Sequence, residues 1–455
     1  MRILLLSSCL FVGGIASAAN DLPGGGIDPE ALSRHVRILA SDEFEGRAPA
    51  SAGEQRTVDY LVDEFRKAGL QPGGKDGSWV QEVPLVRATV DGQVQASLSL
   101  NGKSLPLVNG EDITLQSLSP FGVVDQQDTP LVFIGYGISA PERHWDDYKG
   151  LDLSGKIAVV LINDADFETE KRKAMKADFR PVELGDASLT TSFWVKRERV
   201  VTRNVVAKLE GSSHPQESVI FSAHWDAFGI GQPDAAGQTV RHGAIDNATG
   251  VASVLELGRV FAAGPRPQRS LYFIALTAEE KGLLGASYYA AHPLAPLETT
   301  AAVLNIEMFS PDGETADIAT WGNGRVSLED DVQRVAQARG RRWSPDPNLE
   351  AGFFYRADHF AFARKGVPAI TVGAGLDKLD GGVAAGRALR DAYFAKCYHQ
   401  ACDAWSPQWD ARGLAADTLL VYDMGLELAN SRKWPTWQKG AEFEAAREAS
   451  DAARR

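Results

Sequence analysis

From about Thr202 the sequence settles into one repeated pattern: a short apolar β-rich run, a loop, then a helix-period run. Strands are expected at 218–223, 270–276, 301–306 and 368–372, and helices at 248–263, 282–291, 328–340 and 411–430. Strands that alternate with helices confine this part of the chain to an α/β fold, a mainly parallel mixed sheet sandwiched by helices. In such sheets binding sites form in the loops at the carboxyl ends of the strands.

Those loops carry the chemistry. Strand 218–223 runs into Ala223-His224-Trp225-Asp226, and Gly243-Ala244-Ile245-Asp246-Asn247-Ala248-Thr249-Gly250 stands at the mouth of the next helix. Strand 270–276 ends in Thr277-Ala278-Glu279-Glu280-Lys281-Gly282, and strand 301–306 ends in Asn305-Ile306-Glu307. Each piece alone has an ordinary explanation. A lone histidine after a strand is commonly a hydrogen-bonded structural residue. An aspartate before a helix is commonly its N-cap, and glutamates in a first turn favour the helix dipole. Together they bring a histidine and several carboxylates to one rim, where unpaired acids repel one another and desolvate badly without a cation. Imidazole plus carboxylates is a ligand set for zinc, with cobalt or manganese as substitutes. The chain has no His-Glu-x-x-His, no Walker A loop, no Gly-x-Ser-x-Gly elbow and no Gly-x-Gly-x-x-Gly. Thermolysin-type peptidases, P-loop enzymes, α/β-hydrolases and simple Rossmann dehydrogenases lose support accordingly.

These segments, in this order, resemble the zinc aminopeptidases of metallopeptidase family M28. That family runs His-x-Asp, Gly-Ala-x-Asp-Asn-Ala-x-Gly, Glu-Glu-x-Gly-x-x-Gly, an Asn-x-acid strand end and a late histidine. Leu39 to Arg47 and Ser51 to Glu54 are similar to the family's N-terminal segment, Ala357-Asp358-His359-Phe360 to its Ser-Asp-His segment, and Tyr398 to Asp403 to its last-ligand segment. The similarity covers about residues 28–84 and 200–440. It implies the zinc exopeptidase fold and a two-zinc site. His224, Asp246 and Glu307 would hold one ion, and Asp246, Glu280 and His399 the other, with Asp246 bridging. Asp226 would orient His224 from behind, and Glu279 would be the general base. Two departures stand out: Glu307 replaces the usual aspartate, and Ala357 replaces the serine of Ser-Asp-His. His359 and His399 both lie in the late region, and His399 is taken as the ligand. Tyr355, Asp358 and His359 are candidates for substrate binding or for packing. His35, His144, His214, His242 and His292 are read as non-catalytic, although His242 lies four residues before Asp246.

The resemblance implies an aminopeptidase acting on peptides with a free N-terminus. A carboxypeptidase or dipeptidase shares the ligand set. A glutaminyl cyclase of the same fold would use a single zinc, and a receptor-like member would have lost ligands or base.

The rest of the chain is read more coarsely. Its 455 residues are enough for about two or three domains. Residues 28–84 supply two helices, one from Pro29 to about Ala40 behind an Asp28 cap and one from about Gly53 to Ala68. Residues 85–190 are β-rich and form an insert, with the clearest strands at Leu131–Ile134 and Ile157–Ile162. Around 131–163 the insert resembles the protease-associated (PA) domain often inserted in this family. Residues 441–455 are an Ala/Glu/Arg-rich tail, expected to be solvated or to fray.

The N-terminus reads MRILLLSSCLFVGGIASAA, with a basic start, a short apolar run and a small-residue cleavage site. Residues 1–18 are therefore expected to be a signal peptide that exports a periplasmic or secreted protein. Leu6-Ser7-Ser8-Cys9 also has the look of a lipobox, though it sits too early in the run. Removing the signal leaves Cys397 and Cys402, which can close a small disulfide loop in an oxidising compartment or remain two thiols. A net charge of −13 opposes partnership with nucleic acid and stable association with anionic membranes.

Overall fold

The computed structural model describes residues 23–118, 122–140, 145–161 and 179–454. The expected signal peptide 1–18, Cys9, His144 and Ile162 lie outside the described residues. Two compact units form: one takes the chain up to Val83 and again from Thr202, the other runs from Pro84 to Val201.

The first unit is built on a mixed sheet. Its strands lie in the order Arg342–Ser344, Asp317–Thr320, Ala369–Ala374, Thr300–Ile306, His214–His224, Arg269–Leu276 and the end of Val182–Leu209. Ala369–Ala374, Thr300–Ile306, His214–His224 and Arg269–Leu276 run parallel to one another, while Val182–Leu209 is antiparallel to Arg269–Leu276. Every residue of Arg269–Leu276 and Thr300–Ile306 is buried, as befits parallel strands covered on both faces. The first of the parallel strands, His214–His224, sits between the next two. The connections therefore leave it in opposite directions, which opens a crevice beyond its carboxyl end.

Helices Thr249–Ala263 and Arg412–Asn430 pack on this sheet, and the first is buried almost all round. Phe221 and Phe273 stack with centroids 5.3 Å apart beneath Gly425, whose backbone comes so close that a Cβ there would lie 2.2 Å from the Phe221 ring. The N-terminal helices form as the sequence dictates. Asp28 accepts the Glu30 N–H at 3.0 Å to cap Pro29–Leu39, and Leu32, Val36 and Leu39 line its buried face. Burying side chains of that size contributes roughly 1.5–3 kcal/mol each. Ser51 caps Ala52–Lys67 by accepting the Glu54 N–H at 3.2 Å.

In the second unit the regular elements among the described residues are strands. Val123–Phe133 pairs antiparallel with Val182–Leu209 and parallel with Ile157–Val159, and Val80–Leu100 folds back onto Lys103–Pro106. The expected end of the insert at 190 moves to Val201, because the unbroken strand Val182–Leu209 runs through that point.

The tail differs from expectation. It forms the helix Glu444–Glu448 and a final turn at Asp451–Arg454, and it is docked. Phe443 and Arg447 are buried, Arg447 donates to the Thr300 carbonyl at 3.0 Å, and Arg454 donates to the Glu298 carbonyl at 2.9 Å. Composition alone hid this, because both arginines are satisfied by carbonyls far away in sequence. Among the described residues no helix is long and apolar enough to cross a membrane.

Candidate metal centre

The crevice collects its residues from separate elements. His224 is the last residue of the central strand, and Asp246 lies in the turn that leads into helix Thr249–Ala263, where the Asp246–Asn247 peptide is cis. Glu279 and Glu280 follow strand Arg269–Leu276, Glu307 follows Thr300–Ile306, and His399 sits in the turn after helix Gly382–Lys396. Parallel alignment puts the three strand ends on one rim.

The side chains converge into two groups that share one carboxylate. His224 Nε2 lies 3.1 Å from Asp246 Oδ1 and 3.3 Å from Glu307 Oε2. His399 Nε2 lies 3.2 Å from Asp246 Oδ2 and 3.2 Å from Glu280 Oε2. Within each group the candidate ligand atoms all lie within 4.8 Å of one another. Glu279 joins neither of these two groups but forms a third candidate group with His224 and Glu280, its Oε2 4.0 Å from His224 Nε2.

Further residues fix this arrangement. Asp403 accepts the Ile245 N–H at 2.8 Å and the Asp246 N–H at 3.1 Å, pinning the turn that carries Asp246. Asn247 Nδ2 donates to Glu307 Oε2 at 2.7 Å, and Asn305 Nδ2 donates to Glu307 Oε1 at 3.1 Å. Asn305 is held in turn by Ser222, which donates to its Oδ1 at 2.8 Å, and by Thr371, whose hydroxyl accepts from Asn305 at 3.1 Å. Arg47 is fully buried and donates to the carbonyls of Leu39, Trp225, His242 and Gly243 at 2.6–2.7 Å, so one fork ties the N-terminal segment to both loops of the site. His399 is flanked by Tyr398 and Phe228, with ring centroids 3.6 and 4.4 Å away, and its turn is closed by the Cys397–Cys402 disulfide.

Asp226 departs from its expected role. His224 Nδ1 lies 3.1 Å from the Asp226 main-chain carbonyl and 3.8 Å from its carboxylate. That carboxylate instead accepts the N–H groups of Glu279 at 3.0 Å and Glu280 at 3.4 Å. It thus orients the glutamate pair, and the backbone orients the imidazole.

The electrostatics favour a cation at the cluster. Burial, reinforced by the charges of Glu307, Asp358 and Asp246 against the pull of His224, lifts Glu279 well above the usual carboxylate range. Burial and the Asp246 charge push Glu280 up to about 10. Burial also raises Asp226 and Asp358. His224 is raised, because although burial opposes its charge, Glu307 and Glu279 outweigh it. Burial opposes ionisation of Asp246 too, but hydrogen bonds to His224 and His399 hold it low. Glu280 Oε1 is buried without a hydrogen-bond partner. Crowded buried acids with an orphaned oxygen fit divalent cations, whose charge would restore these carboxylates to their ionised form.

Of the proposed substrate residues, Tyr355 is exposed and donates to Glu442 at 3.2 Å, at the rim of the cavity that covers Glu279, Glu280 and His399. Asp358 is fully buried, and neither of its carboxylate oxygens has a partner. His359 joins neither ligand group. It is buried, bonded through Nδ1 to the Thr371 hydroxyl at 2.7 Å, and its pKa is driven down to about 3 by burial and by Arg325. His242 is a structural tie, 2.8 Å from Asp42 and 3.2 Å from the Ala401 carbonyl. Arg47, Asp403, Asn247, Asn305 and Thr371 were not singled out from sequence. The one local signal was an arginine in the otherwise apolar and acidic run Leu39–Arg47.

The family described as peptidase family M28 matches residues 204–422, a span that holds all the cluster residues. A probable zinc metalloprotease of Pyrenophora tritici-repentis (strain Pt-1C-BFP) is 36% identical over 155 residues, 30% of this chain and 35% of that protein. The chain thus aligns with only about a third of the length of this curated relative. An aminopeptidase of Pseudomonas aeruginosa (strain UCBPP-PA14) is 29% identical over 422 residues, 80% of this chain and 74% of that one. Among solved structures, the aminopeptidase from Aneurinibacillus sp. strain AM-1 shares the fold with a TM-score of 0.56 at 18% identity, covering 90% of this chain and 95% of that one. Residues 204–422, with every residue of the cluster, match peptidase family M28, and the fold is shared with a solved aminopeptidase.

Proposed function

We propose that the protein is an exported di-zinc aminopeptidase that removes residues from free peptide N-termini. The observation that carries this reading is the pair of ligand groups sharing Asp246, with Glu279 poised between them. His224, Asp246 and Glu307 would hold one ion, and Asp246, Glu280 and His399 the other. Zinc bound there supplies Lewis acidity toward the scissile carbonyl and acidifies water. The names of the Pyrenophora and Pseudomonas relatives support zinc and aminopeptidase activity. Export rests on the signal-like residues 1–18.

The chain's own residues then have defined tasks. Glu279 takes the proton of the attacking water and returns it to the leaving amine, the usual division of labour for a buried carboxylate beside a reacting centre. Asp226 holds Glu279 and Glu280 through their backbone N–H groups, so one glutamate faces the ligand group while its neighbour faces the substrate. Asn247 and Asn305 occupy the oxygens of Glu307 that would otherwise swing.

The test is mass spectrometry of peptide digests by zinc-loaded protein. Each peptide is offered with a free and with an acetylated N-terminus, with and without chelator. Stepwise loss from free N-termini only, abolished by chelator, is expected. Equal cleavage of acetylated peptides points to carboxypeptidase or endopeptidase activity and refutes the reading.

A further inference from the structure

The cavity over Glu279, Glu280 and His399 has a volume of about 460 Å³, and its wall also carries Arg356 and Arg364. Acidic residues outnumber basic ones 60 to 47 in this chain, and arginines such as Arg339, Arg341 and Arg334 meet carboxylates, Asp423, Asp417 and Glu427. Arg356 and Arg364 do not. Among the described residues neither has a carboxylate partner within ion-pair distance. Arg356 donates to the Tyr398 hydroxyl at 3.4 Å and lies 5.1 Å from the Phe353 ring centroid, and Arg364 lies 5.9 Å from the Phe360 ring centroid. Tyr398 stacks on His399 at 3.6 Å, so Arg356 stands one aromatic ring from the cluster. The two guanidiniums thus lie near rings, line the same cavity as the glutamates, and among the described residues meet no carboxylate.

We infer that Arg356 and Arg364 form a carboxylate-binding pair on the leaving side of the site, which selects substrates carrying a carboxylate close to the scissile bond. Guanidinium is the cation best matched to carboxylate geometry. The cavity has the volume of a small-ligand site, and each extended residue spans only about 3.5 Å. The group within reach is therefore the free C-terminus of a short peptide. This inference rests on the aminopeptidase reading and specifies its substrate class.

The test compares Leu-Gly-Gly as the free acid, Leu-Gly-Gly-amide and Leu-Glu-Gly-amide, with wild-type protein and with the R356Q/R364Q and R356K/R364K variants. The free acid is expected to show a KM about tenfold below that of its amide with little change in kcat, the effect of one or two charge-assisted bonds. R356Q/R364Q abolishes the difference by raising KM for the acid alone, and R356K/R364K restores part of it. Rescue by the glutamate-bearing amide assigns the recognised carboxylate to the side chain after the scissile bond. Equal KM for acid and amide overturns the pair, as does a variant that weakens both alike. Calorimetric binding of acid and amide to the Glu279→Gln protein reads the pair without turnover. Discrimination there, with no hydrolysis by wild type, sinks the aminopeptidase reading and keeps the pair. No discrimination there sinks the pair alone.

Discussion

Replacing Arg47 with methionine tests how the site is held, without touching a proposed ligand. The Arg47 side chain has no exposed surface, and its Nε, Nη1 and Nη2 donate to four main-chain carbonyls. Methionine fills similar space and leaves three of those buried acceptors unpaired, since the Gly243 carbonyl still accepts the Ala248 N–H at 3.1 Å. At about 1–3 kcal/mol for each of the three, the loss is roughly 3–9 kcal/mol. The opposing term is the buried charge. Burial lowers the guanidinium pKa to about 10, against a small pull from Asp403 and Asp226. A drop of that size from 12.5 sets about 3 kcal/mol against the charged form, a cost that methionine escapes. The bonds win, and after the charge term is subtracted the net destabilisation is about 3 kcal/mol. Urea unfolding of metal-free protein at pH 7, followed by tryptophan fluorescence, measures it. Arg47→Lys should fail to rescue, since a point charge cannot span four carbonyls. A loss below about 1 kcal/mol in Arg47→Met, or full recovery in Arg47→Lys, would refute the reasoning.

The other expectations concern the cluster. Asp246→Ala should lose both ions, counted by elemental analysis after dialysis, and a variant that keeps two removes Asp246 as the bridge. Glu279→Gln should retain both ions and lose about 10²–10⁴-fold in kcat, and wild-type turnover would remove Glu279 as the base. Glu307→Asp withdraws the carboxylate by one methylene from Asn247, Asn305 and His224, so metal titration should show one site weakened and the other intact. Burial depresses the pKa of His359 to about 3, so the fold favours its neutral form. That contribution is complete above the unfolded value near 6.5 and is lost as pH falls toward 3, at up to about 1.4 kcal/mol per pH unit. In metal-free protein the stability gap between wild type and His359→Gln should therefore be flat above pH 7 and shift against wild type on acidification, and a gap moving the other way contradicts a buried neutral imidazole.

What could be read in the sequence followed the range of the interactions. The strands and helices of the first unit are written in local periodicity, and parallel alignment then carries His224, Glu280 and Glu307 to one rim whatever the details. Asp246 sits in a short Gly-flanked turn whose spacing is itself the signal. The residues that escaped notice act at a distance: Arg47 bonds 178 residues away at Trp225, and Asp403 acts 157 residues away at Asp246. No local pattern encodes such a pair. Asp226 shows a subtler limit. With one residue between it and His224, either its carbonyl or its carboxylate could face the imidazole, and only the backbone path of the glutamate turn decides.

Glu307 shows how a departure from the family pattern can be absorbed. A longer side chain at a ligand position has an extra rotatable bond and could swing out of register. Here both of its oxygens are occupied, one by Asn247 from the turn that carries Asp246 and the other by Asn305 from its own strand. Asn305 is anchored by Ser222 and Thr371 on the flanking strands, and Thr371 is anchored by His359. The carboxylate is thus referenced to three adjacent strands of the sheet, while Oε2 stays 3.3 Å from His224. The same chain accounts for a neutral His359: its Nδ1 meets the Thr371 hydroxyl, and an added positive charge would find no counter-ion in that pocket, where Arg325 already opposes it. Rigidity of this kind leaves the carboxylates unable to relax away from one another. Cations that favour the ionised carboxylates should therefore stabilise the fold as well as equip the site.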